Sequence, residues 1–310
     1  MIALAAAALP PQEIVAPGPQ GHLKGSLTRT EDPDAPVVLI IPGSGPTDRD
    51  GNNPLGVNAG SYRLLAEGLA AAGVSTVRID KRGMFGSAYA VPDANGVTIN
   101  DYVEDVRAWI QVIRDTTGTD CVWLLGHSEG GLVALATAQD KDEICGVVLI
   151  ATPGRPLGNV LKEQLHANPA NAELLLQADA AIDALAAGRR VDSTNFAEPL
   201  AALFAPAIQD FLISAFTLDP AQLIKNISKP ILILQGEADL QVGMPDAEAL
   251  ADAAPSAQLI GLPDTNHVLK TVAPNDTAAN IATYTNPNLP LAPDVIKSIL
   301  NFVDGHGGTK

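Results

Sequence analysis

Leu124-Leu125-Gly126-His127-Ser128-Glu129-Gly130-Gly131 is the stretch on which the fold reading turns. It closes an apolar, β-rich run at 121–125 and opens a helical one at 132–139. A serine held on a sharp strand-to-helix turn adopts a strained backbone, so the residues two before and two after it must be tiny; here both are glycine. Strain of this kind persists where the geometry is useful. It lifts the hydroxyl clear of the sheet and sets it beside a helix N-terminus, where N–H groups and the positive dipole end favour an oxyanion. The Gly-x-Ser-x-Gly letters are weak evidence alone. Between that strand and that helix they mark Ser128 as the candidate nucleophile. His127 projects away from the serine in such a turn and reads as a packing or supporting residue.

Outward from this turn, apolar runs recur at 37–41, 74–79, 147–151, 231–234 and 257–262. Between most of them lie stretches of helical period, such as Tyr102, Val103, Val106, Trp109, Ile110 and Ile113, which draw a stripe on one helix face. Alternation of strands and helices predicts an α/β fold with a mostly parallel central sheet flanked by helices on both faces. Residues 22–29 predict a leading strand, antiparallel at the edge. The rhythm breaks from 153 to 228, where Ala- and Leu-rich helical patterns at 172–187 and 199–215 appear without a strand. A parallel crossover needs roughly a dozen residues, so this interval predicts an inserted helical cap on a core made of 21–152 and 229–310. At 310 residues and 46% hydrophobic content, the chain can bury one large core without a second unrelated domain.

A serine is activated by a base, itself oriented by a carboxylate. Of five histidines, only His267 falls in a loop directly after an apolar strand, at the carboxyl edge where sites of such sheets assemble. His22 lies on the leading strand, His166 in the insert and His306 in a Gly-rich tail. Asp239 follows the penultimate strand, with Glu237 as its rival and Asp264 a weaker one. After 37–41 comes Pro42-Gly43-Ser44-Gly45-Pro46-Thr47-Asp48-Arg49-Asp50-Gly51-Asn52. Its small residues let backbone approach a reacting carbonyl, so an N–H of Ser44 or Gly45 joins that of Glu129 as a candidate oxyanion donor. As a dinucleotide loop this stretch fails, because prolines intrude and Asp48 stands in place of a third glycine. As a calcium loop it lacks the turn glycine and the bidentate glutamate. Nothing else has metal-ligand spacing.

A net charge of −16 argues against nucleic acid as a partner, since phosphate binding draws on clustered Lys and Arg. The short apolar run at 1–10 precedes prolines and lacks a basic region. Residues 1–20 therefore read as a disordered or signal-like start, which leaves localisation open between periplasmic or secreted and cytoplasmic. That run is far shorter than the roughly 20 residues of a membrane span, and no later segment qualifies at this stage. Cys121 and Cys145 each lie just before an apolar run. A disulfide is geometrically possible if those strands are neighbours, but two buried free thiols is the simpler expectation.

Taken together, the Gly43 to Asn52 loop, Asp80-Lys81-Arg82-Gly83, the Gly126 to Gly131 elbow and Gln235-Gly236-Glu237-Ala238-Asp239 make the chain resemble bacterial α/β-hydrolase carboxylesterases. That likeness covers roughly residues 35 to 305 except the insert. Met84-Phe85 departs from it, standing where the group has a second small residue. The resemblance implies a capped serine hydrolase acting on a small-molecule ester with a short acyl chain, without metal or organic cofactor. The chain order Ser128, Asp239, His267 fits that fold. Serine peptidases, thioesterases and lactonases share the constellation, and a non-catalytic binding protein that retained the fold is the reading of another class. Arg49, Asp50, Asp80 and Arg82 read as braces that fix loop geometry. Oligomeric state is not legible in the sequence.

Overall fold

The computed structural model describes residues 9–139 and 142–306. Its strands and helices are, in chain order, β1 (Gln12–Pro17), β2 (His22–Thr28), β3 (Val37–Ile41), a two-residue hairpin β4 (Asn52–Asn53) and β5 (Val57–Asn58), α1 (Ser61–Ala71) and β6 (Ser75–Ile79). There follow α2 (Ile99–Thr117), β7 (Val122–His127), α3 (Glu129–Thr137), β8 (Ile144–Ile150), α4 (Leu157–Ala167), α5 (Leu175–Ala186), α6 (Glu198–Leu203), α7 (Gln209–Phe216) and α8 (Pro220–Ile224). The chain ends with β9 (Ile231–Gly236), α9 (Met244–Ala253), β10 (Gln258–Leu262), α10 (Thr277–Ala282) and α11 (Pro293–His306).

The main sheet has eight strands in the order β1-β2-β6-β3-β7-β8-β9-β10. The first two pairings are antiparallel and the remaining five parallel. Every residue of β3, β6, β7 and β9 is buried, the reason these strands read as mainly apolar runs, although β6 also buries Ser75, Thr76 and Arg78. Tyr62, Leu65 and Leu69 of α1 and Ile299 and Phe302 of α11 pack with Trp123 and Leu125 on one face. On the other, Trp109 of α2, Leu132 of α3 and Leu250 of α9 pack with Leu39 and Leu124. Helix α2 starts at a reciprocal Thr98–Asp101 capping box and stops at left-handed Gly118, so its boundaries are set locally.

Four expectations need correction. The leading strand 22–29 is antiparallel as expected, but the edge belongs to β1, so the disordered or signal-like start of 1–20 does not extend past residue 11. The run at 1–10 falls almost wholly outside the described residues. Cys121 and Cys145 form a disulfide, with Cα atoms 5.2 Å apart. The register of β7 on β8 shifts there: Val122 pairs with Ile144 and Trp123 with Gly146, so Cys145 is an extra residue beside the first strand turn. The insert between β8 and β9 contains α4 to α8, but α8 packs against α3 and α9 and takes the position of the crossover helix. The true addition is therefore α4 to α7. Lastly, residues 198–216 are long and apolar enough by length and composition to cross a membrane. They are broken into α6 and α7 by a turn at Pro206, and Leu200, Phe204, Ala215 and Phe216 bury into the protein core.

Candidate functional site

Ser128 sits between β7 and α3 with φ 54° and ψ −125°, a conformation that L side chains rarely adopt. Two glycines make this turn passable. A side chain at Gly126 would run into Gly130 and Gly131, and one at Gly130 into the carbonyl oxygen of Ile41. The backbone is pinned by Ser128 N–H donating to Ile150 O at 2.9 Å and by Gly131 N–H donating to Ser128 O at 2.9 Å. The strained turn thus rests on bonds to the neighbouring strand and on its own helix.

His267 stands in the loop after β10, and its Nδ1 lies 2.7 Å from Asp239 Oδ2. The Asp239 side chain is fully buried. Burial works against its charge, but His267 and the N–H groups of Gln241 (2.7 Å) and Val242 (3.0 Å) outweigh it and hold the carboxyl below the usual carboxylate range. Its two rivals are set aside by placement: Glu237 and Asp264 are both exposed. With Nδ1 committed to Asp239, the imidazole presents Nε2 as its free nitrogen. Ser128 and His267 line one cleft of about 140 Å³, together with Gly43, Ser44, Tyr62 and Tyr284. Among the described residues the Ser128 hydroxyl forms no hydrogen bond, so the cleft brings serine and ring together without closing that contact.

The loop carrying His267 is held mostly by neutral groups, besides the buried Lys270 ammonium that donates to the Leu289 carbonyl at 2.5 Å. Asn266 Nδ2 donates to Asn280 Oδ1 at 3.0 Å and Thr283 Oγ1 at 2.7 Å, while its Oδ1 accepts from Lys270 N–H. Ser61 Oγ donates to the Val268 carbonyl at 2.7 Å. The His267 carbonyl is 2.9 Å from His127 Nε2, and His127 Nδ1 is 2.8 Å from Tyr62 Oη. A carbonyl only accepts, so Nε2 of His127 carries the proton and its Nδ1 accepts from tyrosine. Burial beside His267 pushes the His127 pKa down to about 3, which keeps the ring neutral and this tautomer fixed. His127 thereby supports the backbone of His267. The remaining histidines lie elsewhere: His22 is exposed on β2, His166 pairs with Asp179 and His306 ends α11.

Across the cleft, the loop after β3 is stiffened by charge. Arg49 grips Asp80 through both Nε (2.9 Å) and Nη2 (2.5 Å), Arg78 pairs with Asp50, and Arg82 grips Asp105 at 2.7 and 2.6 Å. Ser44 and Gly45 carry amides with no protein acceptor among the described residues, and both line a second cleft of about 290 Å³ with Ser128 and Glu129. Leu157 and Val160 of α4 and Leu212 and Phe216 of α7 form the opposite wall of that cleft. Two contacts fell outside what the sequence reading assigned. Lys81 lies buried behind the Gly43 loop, and Arg155 and Gly154 clasp buried Asp246 where the insert leaves the sheet. Lys81 stood in a quoted motif, but its acceptor is a backbone carbonyl, which no side-chain pattern reveals.

The alpha/beta hydrolase family model matches residues 37–282, most of the chain. The chain belongs to this family. Esterase EstD of Thermotoga maritima is 26% identical over 247 residues, 76% of this chain and 54% of the relative; the chain spans about half the length of that curated relative. Among solved structures, an esterase of Pyrococcus furiosus superposes with a TM-score of 0.60 at 14% identity, covering 96% of this chain and 91% of the other. Est1E of Butyrivibrio proteoclasticus does so at 0.58 and 15% identity, covering 94% and 99%. At these identities the structural neighbours speak to fold, and the family's parallel sheet with flanking helices is what the chain displays.

Proposed function

We propose that this alpha/beta hydrolase is a serine carboxylesterase that cleaves short-chain acyl esters through an acyl-enzyme intermediate. The observation that carries the reading is the 2.7 Å contact of buried Asp239 with His267, on the wall of the same cleft as the strained Ser128 turn. His267 Nε2 takes the Ser128 proton as the hydroxyl oxygen attacks the ester carbonyl. The N–H groups of Glu129 and of Ser44 or Gly45 hold the resulting oxyanion, and the first of these is an orphan donor at a helix start. His267 then passes its proton to the departing alcohol. Water repeats the sequence on the acyl-serine and frees the acid. Asp239 keeps the ring in the needed tautomer and stabilises its charged form. The serine-to-imidazole hydrogen bond is the one contact left for substrate to close, in keeping with the looser geometry of unliganded sites.

Helices α4 to α7 act as a cap in this reading, and their apolar wall over Ser128 receives the acyl chain. Ser128→Ala is expected to lower kcat for a short-chain aryl ester about 10⁶-fold with thermal unfolding unchanged. Turnover near that of the native chain removes Ser128 from the mechanism. Amide turnover exceeding ester turnover on a matched panel turns the assignment toward a peptidase.

A further inference from the structure

Lys81 is buried, yet it faces no catalytic atom directly. Its ammonium Nζ donates to the carbonyl oxygen of Gly43 at 2.7 Å, stands 3.8 Å from Glu129 Oε1 and lies over the ring of Tyr102, 5.3 Å from its centroid. The acceptor matters more than the ion pair. In a planar trans peptide the C=O of one residue and the N–H of the next point in opposite directions from one rigid plate. The plate that Lys81 holds by its oxygen is the Gly43–Ser44 peptide, and its other edge is the Ser44 N–H at the cleft shared with Ser128. Gly43 is restrained at its other end as well, its own N–H donating to Tyr62 Oη at 3.0 Å.

We infer that Lys81 is a positioning residue for oxyanion stabilisation, aiming the Ser44 N–H into the cleft from behind and strengthening it as a donor. A cation on the carbonyl draws electron density along the peptide, which makes the attached N–H a better hydrogen-bond donor, an effect magnified where water is excluded. The same ammonium stands 3.8 Å from the side-chain carboxylate of Glu129, the first residue of α3, which helps to hold it in place behind the Gly43 carbonyl. Burial depresses the lysine's pKa while Glu129 supports its charged form. Phosphate or metal binding by Lys81 is not open to it, because its Nζ is already engaged from three sides.

This inference rests on the serine-esterase reading, and its test separates the two. Lys81→Met removes the donor and the charge but leaves Glu129 buried without its partner, so Lys81→Met/Glu129→Gln is made in parallel to keep the fold. Active sites are first counted by stoichiometric labelling with an organophosphonate, so that only folded, reactive enzyme enters the rates. Absence of label on Ser128 in the unmutated chain sinks the serine reading itself. With label present, both variants are expected to lose about 10- to 100-fold in kcat with KM changed less than threefold, short of the 10²- to 10³-fold that follows deletion of a whole donor. The inhibition constant of a trifluoromethyl ketone, which places an oxyanion in the hole, is expected to rise by the same factor as kcat/KM falls. A role in stability alone changes the number of active sites and leaves both per-site constants alone. Per-site kcat and ketone affinity within twofold of the unmutated chain overturn the assignment of Lys81.

Discussion

The two walls of the cleft are built differently. The wall formed by the loops after β3 and β6 is fastened by full charges, with Arg49 on Asp80, Arg78 on Asp50, Arg82 on Asp105 and Lys81 beside Glu129. The wall that carries His267 is fastened mostly by neutral side chains, through Asn266 to Asn280 and Thr283, Ser61 to the Val268 carbonyl and His127 to the His267 carbonyl, with one ammonium, that of Lys270, donating to the Leu289 carbonyl. The difference follows from what each wall presents. Backbone N–H groups are fixed partial charges, and cations paired with carboxylates around them hold the loop in one geometry. In the proposed mechanism His267 gains a proton during turnover, and Asp239 is the full charge bonded to its ring.

The sharpest way to probe that contrast is at the carboxylate bonded to His267. Asp239→Asn preserves shape but favours the wrong imidazole tautomer, and kcat is expected to fall about 10⁴-fold in steady-state ester hydrolysis. A loss under tenfold breaks the idea that the base depends on one charge. Next in size are the fastenings themselves. Arg82→Met leaves Asp105 buried and uncompensated and is expected to cost about 3 to 5 kcal/mol by urea unfolding. Asn266→Ala, on the other wall, is expected to cost about 1 to 3 kcal/mol. If the asparagine proves costlier than the arginine, the two walls are not held as described.

The smallest effect is a slope in pH. His127 stays neutral in the folded chain down to about 3, whereas in the unfolded chain it takes up a proton near its ordinary 6.5. Between those values the unfolded state binds the extra proton, so the stability His127 contributes is whole above 6.5 and drains away on acidification towards 3. The slope is about 1.4 kcal/mol per pH unit. His127→Gln retains a donor for the His267 carbonyl and cannot protonate. Its unfolding free energy, measured at pH 7, 6 and 5, is expected to fall less steeply than that of the unmutated chain, by about half that slope between pH 7 and 6 and close to the whole of it between 6 and 5. Parallel curves show that the ring does not stay neutral.

The interior strands announced themselves because both their faces are covered, which forces apolar runs such as 37–41 and 231–234. Strand β1 did not, because at the edge only Ile14 and Ala16 of Gln-Glu-Ile-Val-Ala-Pro turn inward and the rest face water. The disulfide escaped because neither the adjacency of β7 and β8, which the sequence left conditional, nor the register shift beside Cys145 is written in the apolar pattern. Ser128, Asp239 and His267 stood out because each follows an apolar strand in a loop at one sheet edge. The Lys81 contact stayed hidden because its partner is an oxygen of the main chain 38 residues earlier.

The placement of α8 has a bearing on how the insert is tied to the sheet. Helix α8 closes the return from β8 to β9 against α3 and α9, while the helices before it share the buried core with the sheet through Leu185, Leu200, Phe204 and Phe216. A change in that insert is therefore felt in the interior as well as at the cleft it lines.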